Sequence, residues 1–173
     1  MYSESMKKIG QGAFTTAYLQ DDGQVLLKSR CPIKEAMALG FFPDSPLFPK
    51  IKMLRRVADP YTEYLMEYLP RPSSLKQNLH VDQWKIYKDL QTLESVIFKS
   101  GSRCFFSDCD CLNMWREKFE TLKNEELREV MIEALEGCGN YGPDISFEIS
   151  PRNVSVKKGK LILLDCFYQI SKL

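Results

Sequence analysis

Two glycines and a lysine near the N-terminus have residue types and a spacing that suit phosphate binding. Gly10 and Gly12 lie in a bend between two short predicted strands, where glycine lets backbone N–H groups approach phosphate oxygens. Lys28 ends the apolar run Val25-Leu26-Leu27, on a strand predicted to lie antiparallel to the glycine hairpin. A lysine there could reach the phosphates of a nucleotide, with Glu35 on the next helix holding it. The bend lacks the G-K-[S/T] of a P-loop and opens no long helix as a Rossmann turn does.

A second group of polar residues lies near the C-terminus. Glu148 comes five residues before Asn153, and a predicted hairpin then leads to Asp165, which directly follows four aliphatic residues. An aspartate at the end of a buried strand is costly unless a cation or hydrogen bonds compensate it. Acid, asparagine, hairpin and acid in this order is the layout of kinase catalytic loops. There the first acid orients the substrate hydroxyl, and the asparagine and final aspartate hold Mg²⁺.

Residues 64–69 lie between these two groups and form a third candidate element. They resemble the hinge strand of kinases, with Met66 in the gatekeeper position and the backbone of Glu67 to Leu69 facing adenine. The three elements occur in the order that such a site requires, and this joint occurrence is the strongest functional signal in the chain.

The chain therefore resembles the protein-kinase-like superfamily, which includes the aminoglycoside phosphotransferases. It is most similar to the small early serine/threonine protein kinases of short-tailed lytic bacteriophages. The matching residues are Gly10, Gly12, Phe14, Ala17 and Tyr18 in the glycine loop, then Phe147, Glu148 and Asn153 in the catalytic loop. The resemblance covers residues 7–70 and 144–168. It implies ATP and Mg²⁺ as cofactors and phosphoryl transfer to a serine or threonine of a protein, with a host protein as the partner that the phage resemblance suggests.

The chain departs from the family pattern at four places. The catalytic base would be Glu148 rather than an aspartate, and Ser150 replaces the lysine expected three residues before Asn153, a role that Arg152 could take. The triplet Asp165-Cys166-Phe167 lacks the family's glycine. Only eight residues follow Asp165, so we expect no activation segment, no control by its phosphorylation and a shortened helical lobe.

The hydrophobic periodicity changes along the chain and predicts the strands and helices that would position these residues. Short strands are predicted at residues 8–9, 15–19, 24–29, 51–57 and 64–69, with a hairpin at Asp21-Asp22-Gly23 and a short helix at residues 33–41. Residues from about 73 to 137 read as helices, one of them capped by Asn124 and ended by Gly137. A second hairpin at Lys157-Lys158-Gly159 joins residues 153–156 and 161–164.

These elements predict an α+β protein with a minimal two-lobed kinase-like fold. Residues 1–70 would form an antiparallel β-rich N-lobe with the glycine loop and hinge. Residues 71–173 would form a truncated helical C-lobe with the catalytic-loop hairpin.

Composition and charge set the cellular context. The 24 basic and 23 acidic residues give a net charge of +1, which offers no electrostatic case for a nucleic-acid or membrane partner. No signal peptide or membrane span is evident, so we expect a cytoplasmic protein with reduced cysteines, in the host cytoplasm if phage-encoded. Cys104, Cys109 and Cys111 are spaced too irregularly to favour a zinc site.

Three alternatives to a protein kinase stay open. The chain could be a pseudokinase-like module that binds a host protein and inhibits or redirects it without catalysis. It could phosphorylate a small molecule, although the antibiotic kinases build that pocket largely after the position of Asp165. It could also be an α+β interaction domain unrelated to kinases. Whether Glu148 can act as the catalytic base decides between the pseudokinase-like module and an enzyme. Base catalysis typically raises the reaction rate by about 10²–10⁴-fold.

Overall fold

A computed structural model describes residues 6–99 and 110–172. The protein is a mixed α+β structure that contains an antiparallel sheet of five strands and several helices. In chain order, the elements are β1 (Lys7–Gln11), β2 (Thr15–Leu19), β3 (Gln24–Ser29), α1 (Pro32–Ala38), β4 (Ile51–Arg56), β5 (Thr62–Glu67), α2 (Leu75–Asn78), α3 (Val81–Lys99), α4 (Cys111–Glu120), α5 (Glu125–Gly139), β6 (Ile145–Phe147), β7 (Val154–Lys157), β8 (Lys160–Leu163), β9 (Phe167–Gln169) and a final 3₁₀ turn (Ile170–Lys172).

The five-stranded sheet has the order β1-β2-β3-β5-β4, with all neighbours antiparallel. A tight turn joins β2 to β3, where Gly23 has a φ of 79° that a side chain would disfavour. The backbone N–H of Gln24 donates to the Asp22 carboxylate in that turn. Alternate residues of a strand face opposite sides of the sheet, so Val25 and Leu27 share one face while Lys28 lies on the other.

Helix α1 is held in place on several sides. Pro32 occupies its first turn, where the missing N–H costs nothing. Ile33 and Ala36 are buried, and Glu35 forms an ion pair with Arg56 of β4 at 2.7 Å. Behind the helix, α5 approaches so closely that a Cβ on Gly137 would lie 2.2 Å from the backbone oxygen of Phe41.

Helices α4 and α5 form the other wall of the main core. Their N-termini are capped by side chains, that of α5 by Asn124, which accepts from the Leu127 N–H at 3.0 Å. Trp115 and Phe119 of α4 contact Phe147, whose ring lies 5.3 and 5.4 Å from theirs between centroids. These aromatic side chains join the short β6–β9 ladder to the helices and so fix the segment that leads into residues 148–153.

The β7–β8 hairpin closes through Lys158 and Gly159, whose φ angles of 50° and 75° place both in the left-handed region. The hairpin is tied to the rest of the chain by the Leu163 N–H, which donates to the Leu47 backbone oxygen at 2.7 Å. The hairpin therefore sets the position of Asp165, which lies two residues beyond the end of β8.

The sequence predictions agree with these elements in type and mostly in position. The strands predicted at 15–19 and 24–29 are confirmed at both ends, as are both hairpins and the Asn124 cap. The predicted end of that helix at Gly137 is wrong, because the helix continues to Gly139. The strand predicted at 64–69 instead spans Thr62–Glu67, and the helix predicted at 33–41 ends at Ala38, because Gly40 adopts a φ of 80° just beyond it. The α+β class is confirmed; the division into two lobes at residue 70 stays a prediction.

No helix in the described part of the chain is long and apolar enough to cross a membrane.

Candidate functional site

A cleft of about 390 Å³ lies between the five-stranded sheet and the β7–β8 hairpin. Its volume is within the usual range of small-molecule sites. One wall is the glycine hairpin and the Val25–Leu27 face of β3, and the far wall is the loop before β7 together with the end of β8. Of the residues predicted for the site, the cleft brings together Gly10, Gly12, Met66, Glu67, Leu69, Arg152, Asn153 and Asp165.

The glycines of the hairpin face open space. A Cβ added to Gly10 would meet no heavy atom within 4 Å, and one on Gly12 would meet only the Thr15 backbone oxygen at 3.9 Å. Neither glycine has a positive φ. The fold itself therefore does not require glycine at these positions: Gly10 lies in β1 and Gly12 in the turn after it, and side chains there would project from a hairpin that lines the cleft.

Residues 66–69 form the cleft's inner edge, where β5 ends. Val25 pairs with Met66 across the ladder, and both side chains line the cleft. Glu67, the last residue of β5, forms an ion pair with Lys157 of the β7–β8 hairpin. This pair connects the two walls at the point where the chain crosses from the sheet to the helices.

Asn153 and Asp165 lie side by side on the far wall. The Asn153 backbone oxygen accepts hydrogen bonds from the N–H groups of Leu164 at 2.8 Å and Asp165 at 3.2 Å. The Asp165 side chain is 58% exposed and lines the cleft. A carboxylate and a carboxamide offer the oxygen ligands that Mg²⁺ prefers, and Mg²⁺ bound with phosphates commonly uses only one or two protein ligands.

Lys34 of α1 reaches into this part of the cleft, which the sequence did not predict. Its Nζ lies 3.2 Å from Oδ1 of Asp165 and donates to the Leu164 backbone oxygen at 2.6 Å. The Lys34 side chain is only 6% exposed. Burial by itself lowers the pKa of this amine, but the Asp165 carboxylate more than offsets burial and the pKa is raised. Lys34 is therefore a buried cation beside the candidate metal ligand.

Lys28 does not lie in the cleft, and its predicted ion pair with Glu35 is wrong. Lys28 points to the opposite face of the sheet and lies 3.5 Å from Glu63 of β5, because these two residues are cross-strand partners. Glu35 pairs with Arg56 and also accepts a hydrogen bond from the Tyr141 hydroxyl at 3.3 Å. Burial and the neighbouring Glu35 raise the pKa of Tyr141 to about 12. Glu35 therefore anchors α1 rather than a phosphate-binding lysine.

Glu148 also lies outside the cleft lining. Its backbone N–H donates to the Cys166 oxygen at 2.8 Å, which continues the β6–β9 ladder, and its side chain is partly exposed. A second carboxylate lies nearby on α3, since Glu94 accepts from the Ile149 N–H at 3.4 Å. Burial, together with the charge of Glu148, raises the pKa of Glu94. The loop that carries the predicted base is thus held by a buried acid.

Two cationic residues of the cleft were missed from the sequence. Arg71 lines the cleft just after the residues 66–69, and no periodic pattern distinguishes it from a solvated arginine. Lys34 had a usable signal, because it directly follows the apolar Ile33 in a short predicted helix, and the structure buries it together with Ile33 and Ala36. A lysine in that position needs a partner, and the sequence contains several acids that could supply one.

The predicted cysteine cluster is only partly visible. Cys104 and Cys109 lie outside the described residues, and Cys111 is fully buried at the start of α4. Within residues 6–99 and 110–172 no group of three or more histidine, cysteine, aspartate or glutamate residues is arranged to hold a metal.

Two comparisons of this chain with known proteins found no match. No protein-family model matches it, and no curated protein matches it either.

Proposed function

We propose that this protein binds ATP with Mg²⁺ in the described cleft and transfers a phosphoryl group to a serine or threonine of a protein. The observation that carries the proposal is that a glycine hairpin, the strand-end residues 66–69 and the pair Asn153 and Asp165 line one cleft. These elements are far apart in sequence. A nucleotide needs such surfaces together: open backbone for phosphates, an inner edge for the base and oxygen ligands for the cation.

The open space around Gly10 and Gly12 supports this function. Since the fold tolerates a Cβ at both positions, a reason for glycine there comes from a ligand that approaches the backbone. Ile9, Val25 and Leu27 add an apolar surface to the same cleft, which suits the flat apolar ring of a base.

The residues have distinct roles in the proposed reaction. Asn153 and Asp165 would bind the Mg²⁺ that neutralises the phosphates, while Arg152 would contact the transferring group. Glu148 would accept the proton of the substrate hydroxyl. The choice of a protein as substrate, and of a host protein in particular, rests on the resemblance to the phage kinases.

A second candidate function is nucleotide-dependent binding of a protein without catalysis. The position of Glu148 outside the cleft lining favours it, because a base must come within hydrogen-bond reach of the proton it abstracts. In this pseudokinase-like alternative the cleft binds a nucleotide, and the protein inhibits or redirects its partner by contact alone.

A radiolabel transfer assay tests the proposal. The purified protein is incubated with γ-labelled ATP and Mg²⁺, alone and with a bacterial lysate, and labelled serine or threonine is sought by phosphoamino-acid analysis. We expect labelling in the wild-type protein and a loss of at least about 10³-fold in Asp165→Ala and Asn153→Ala, because both remove a metal ligand.

Asp44→Ala is the matched control, since Asp44 is 93% exposed and its ion-pair partner in the described part of the chain is the equally exposed Lys50. It should transfer phosphate like the wild type. Transfer that survives in Asp165→Ala would overturn the assignment. Nucleotide binding with no transfer in the wild type would instead select the binding function.

A further inference from the structure

The ion pair between Lys34 and Asp165 points to a role that neither partner has alone. Lys34 comes from α1 on the sheet side, and Asp165 follows β8 on the hairpin side, with their side-chain atoms 3.2 Å apart. The pair therefore bridges the cleft at its inner end. Each residue alone could bind a ligand of opposite charge. In this structure each charge is neutralised by the other member of the pair.

The two partners differ in exposure. Lys34 is 6% exposed, whereas Asp165 is 58% exposed. A buried ammonium group is costly unless paired, so Lys34 depends on its partners. Lys34 pairs with Oδ1 of Asp165, and Oδ2 belongs to a side chain that is 58% exposed and lines the cleft. A cation that approached this oxygen would meet the positive charge of Lys34 just behind it.

The donors of Lys34 are only partly used. An ammonium group has three N–H donors. Two of them have partners among the described residues, the Asp165 carboxylate and the Leu164 backbone oxygen. Since Lys34 itself lines the cleft, an anion there could take the remaining donor without displacing the lysine from its place in the helix.

We infer that Lys34 is the phosphate-contacting lysine of this site and that it also repels free divalent cations from Asp165 until phosphates enter. The inference rests on the proposed nucleotide binding. A phosphate brings negative charge that both the lysine and the cation can share, so the cation binds well only together with the nucleotide. Lys28, which has the expected sequence position, has neither function because it lies on the outer face of the sheet.

The geometry of β3 explains why Lys34, rather than Lys28, is the lysine in the cleft. On β3, Val25 and Leu27 face the cleft, so the next position on that face is Ser29, which is buried and shares a hydrogen bond with the Thr15 hydroxyl. The strand thus ends without a cation toward the cleft. Helix α1 begins three residues later and supplies Lys34 from the same side.

Two binding measurements with opposite expected signs test the inference. Binding of Mn²⁺ without nucleotide is measured by electron paramagnetic resonance, and binding of ATP with Mg²⁺ by isothermal titration calorimetry. In Lys34→Gln we expect Mn²⁺ to bind at least fivefold more tightly and ATP with Mg²⁺ at least tenfold more weakly. Lys28→Gln is the matched control and should change each affinity by less than twofold.

The result that overturns the inference is a Lys34→Gln protein with both affinities unchanged, or Lys28→Gln showing the larger effects. If the wild type binds no nucleotide at all, the proposed function fails, while the Mn²⁺ comparison still decides whether Lys34 repels the cation. If nucleotide binding is intact and only the Lys34 effects are missing, the inference alone fails.

A measurement on the unaltered protein covers the case in which Lys34→Gln does not fold. An acyl phosphate of ATP transfers its acyl group to a lysine amine near the bound phosphates and releases ATP, and mass spectrometry locates the modified residue. Modification of Lys34 that excess ATP suppresses supports the inference. Modification of Lys28 instead, or of no lysine in the cleft, overturns it.

Discussion

The outer face of the five-stranded sheet and the cleft pair their charges in opposite ways. On the outer face the acid is buried: the Glu63 side chain is 5% exposed and lies 2.7 Å from Arg55, which is 72% exposed, and 3.5 Å from Lys28, which is 42% exposed. In the cleft the cation, Lys34 of α1, is buried and the acid, Asp165, is more than half exposed. The outer pairs are also redundant, because Glu63 has two cations.

This difference explains which charges are free to act on a ligand. Loss of one exposed cation on the outer face leaves Glu63 paired with the other, so each of these pairs can be lost with little effect on the buried acid. In the cleft one exposed acid holds one buried cation. An incoming ligand that competes for either partner would change the environment of both, which is the coupling expected of a candidate functional site.

The largest expected effect comes from removing the single acid of the cleft pair. Asp165→Asn should lower the free energy of unfolding by about 3 kcal/mol, because it leaves the buried Lys34 ammonium without its counter-charge. Urea denaturation at pH 7 measures it, with Asp44→Asn as the exposed control. A loss as small as that of the control would remove the contrast between the two faces.

The same variant should reverse the dependence of stability on alkaline pH. In the wild type the pKa of Lys34 is raised above its ordinary 10.5, so its contribution is complete below that pH and is lost as pH rises through the folded-state pKa. In Asp165→Asn burial acts without the carboxylate and lowers the pKa of Lys34. Stability should then increase with pH toward 10.5 instead of falling above it.

A smaller effect is expected from the contact that holds α1, and with it Lys34, against α5. Gly137→Ala should cost about 2 kcal/mol, because the new Cβ would lie 2.2 Å from the Phe41 backbone oxygen and the backbone must shift. Gly139→Ala is the matched control on the same helix, where the nearest atom belongs to the flexible Leu112 side chain at 3.1 Å. Equal melting temperatures of the two variants would show that α1 is not fixed from behind.

The smallest effect should come from the outer face. Lys28→Met should change the free energy of unfolding by less than about 1 kcal/mol, since Lys28 is 42% exposed and Arg55 still pairs with Glu63. The change should shrink further in 0.5 M salt, as expected for an exposed pair. A loss comparable to that of Asp165→Asn would show that the outer pairs are not redundant.

Sequence reasoning predicted the elements better than the directions in which side chains point. The limits of β2 and β3 follow from turn residues and β-branched or apolar runs, which are local signals. The face on which Lys28 lies is not a local property. Val25-Leu26-Leu27 is buried throughout, so the run has no alternation from which the orientation of the next residue could be predicted.

The site residues that belong to short sequence motifs were predictable. The contacts between residues that are distant in sequence were not. Gly10, Gly12, Asn153 and Asp165 were found from short motifs, and the cleft contains all four. The pairing of Lys34 with Asp165 joins residues 131 positions apart, and it depends on the packing of α1 against the sheet and helices. Hydrophobic periodicity in a single sequence does not indicate which residues so far apart in sequence come into contact.

The close contact of Gly137 with the segment after α1 has a consequence for how a ligand could come and go. With α1 fastened to the helices by this contact and by Glu35 and Tyr141, rotation of that helix is a poor route for opening the cleft. The β1–β2 hairpin is the freer element, since β1 is an edge strand whose five residues are all exposed. For the proposed nucleotide, we therefore expect entry and release to occur past this hairpin, so that a bulkier residue at Gly10 would slow both while leaving the helices undisturbed.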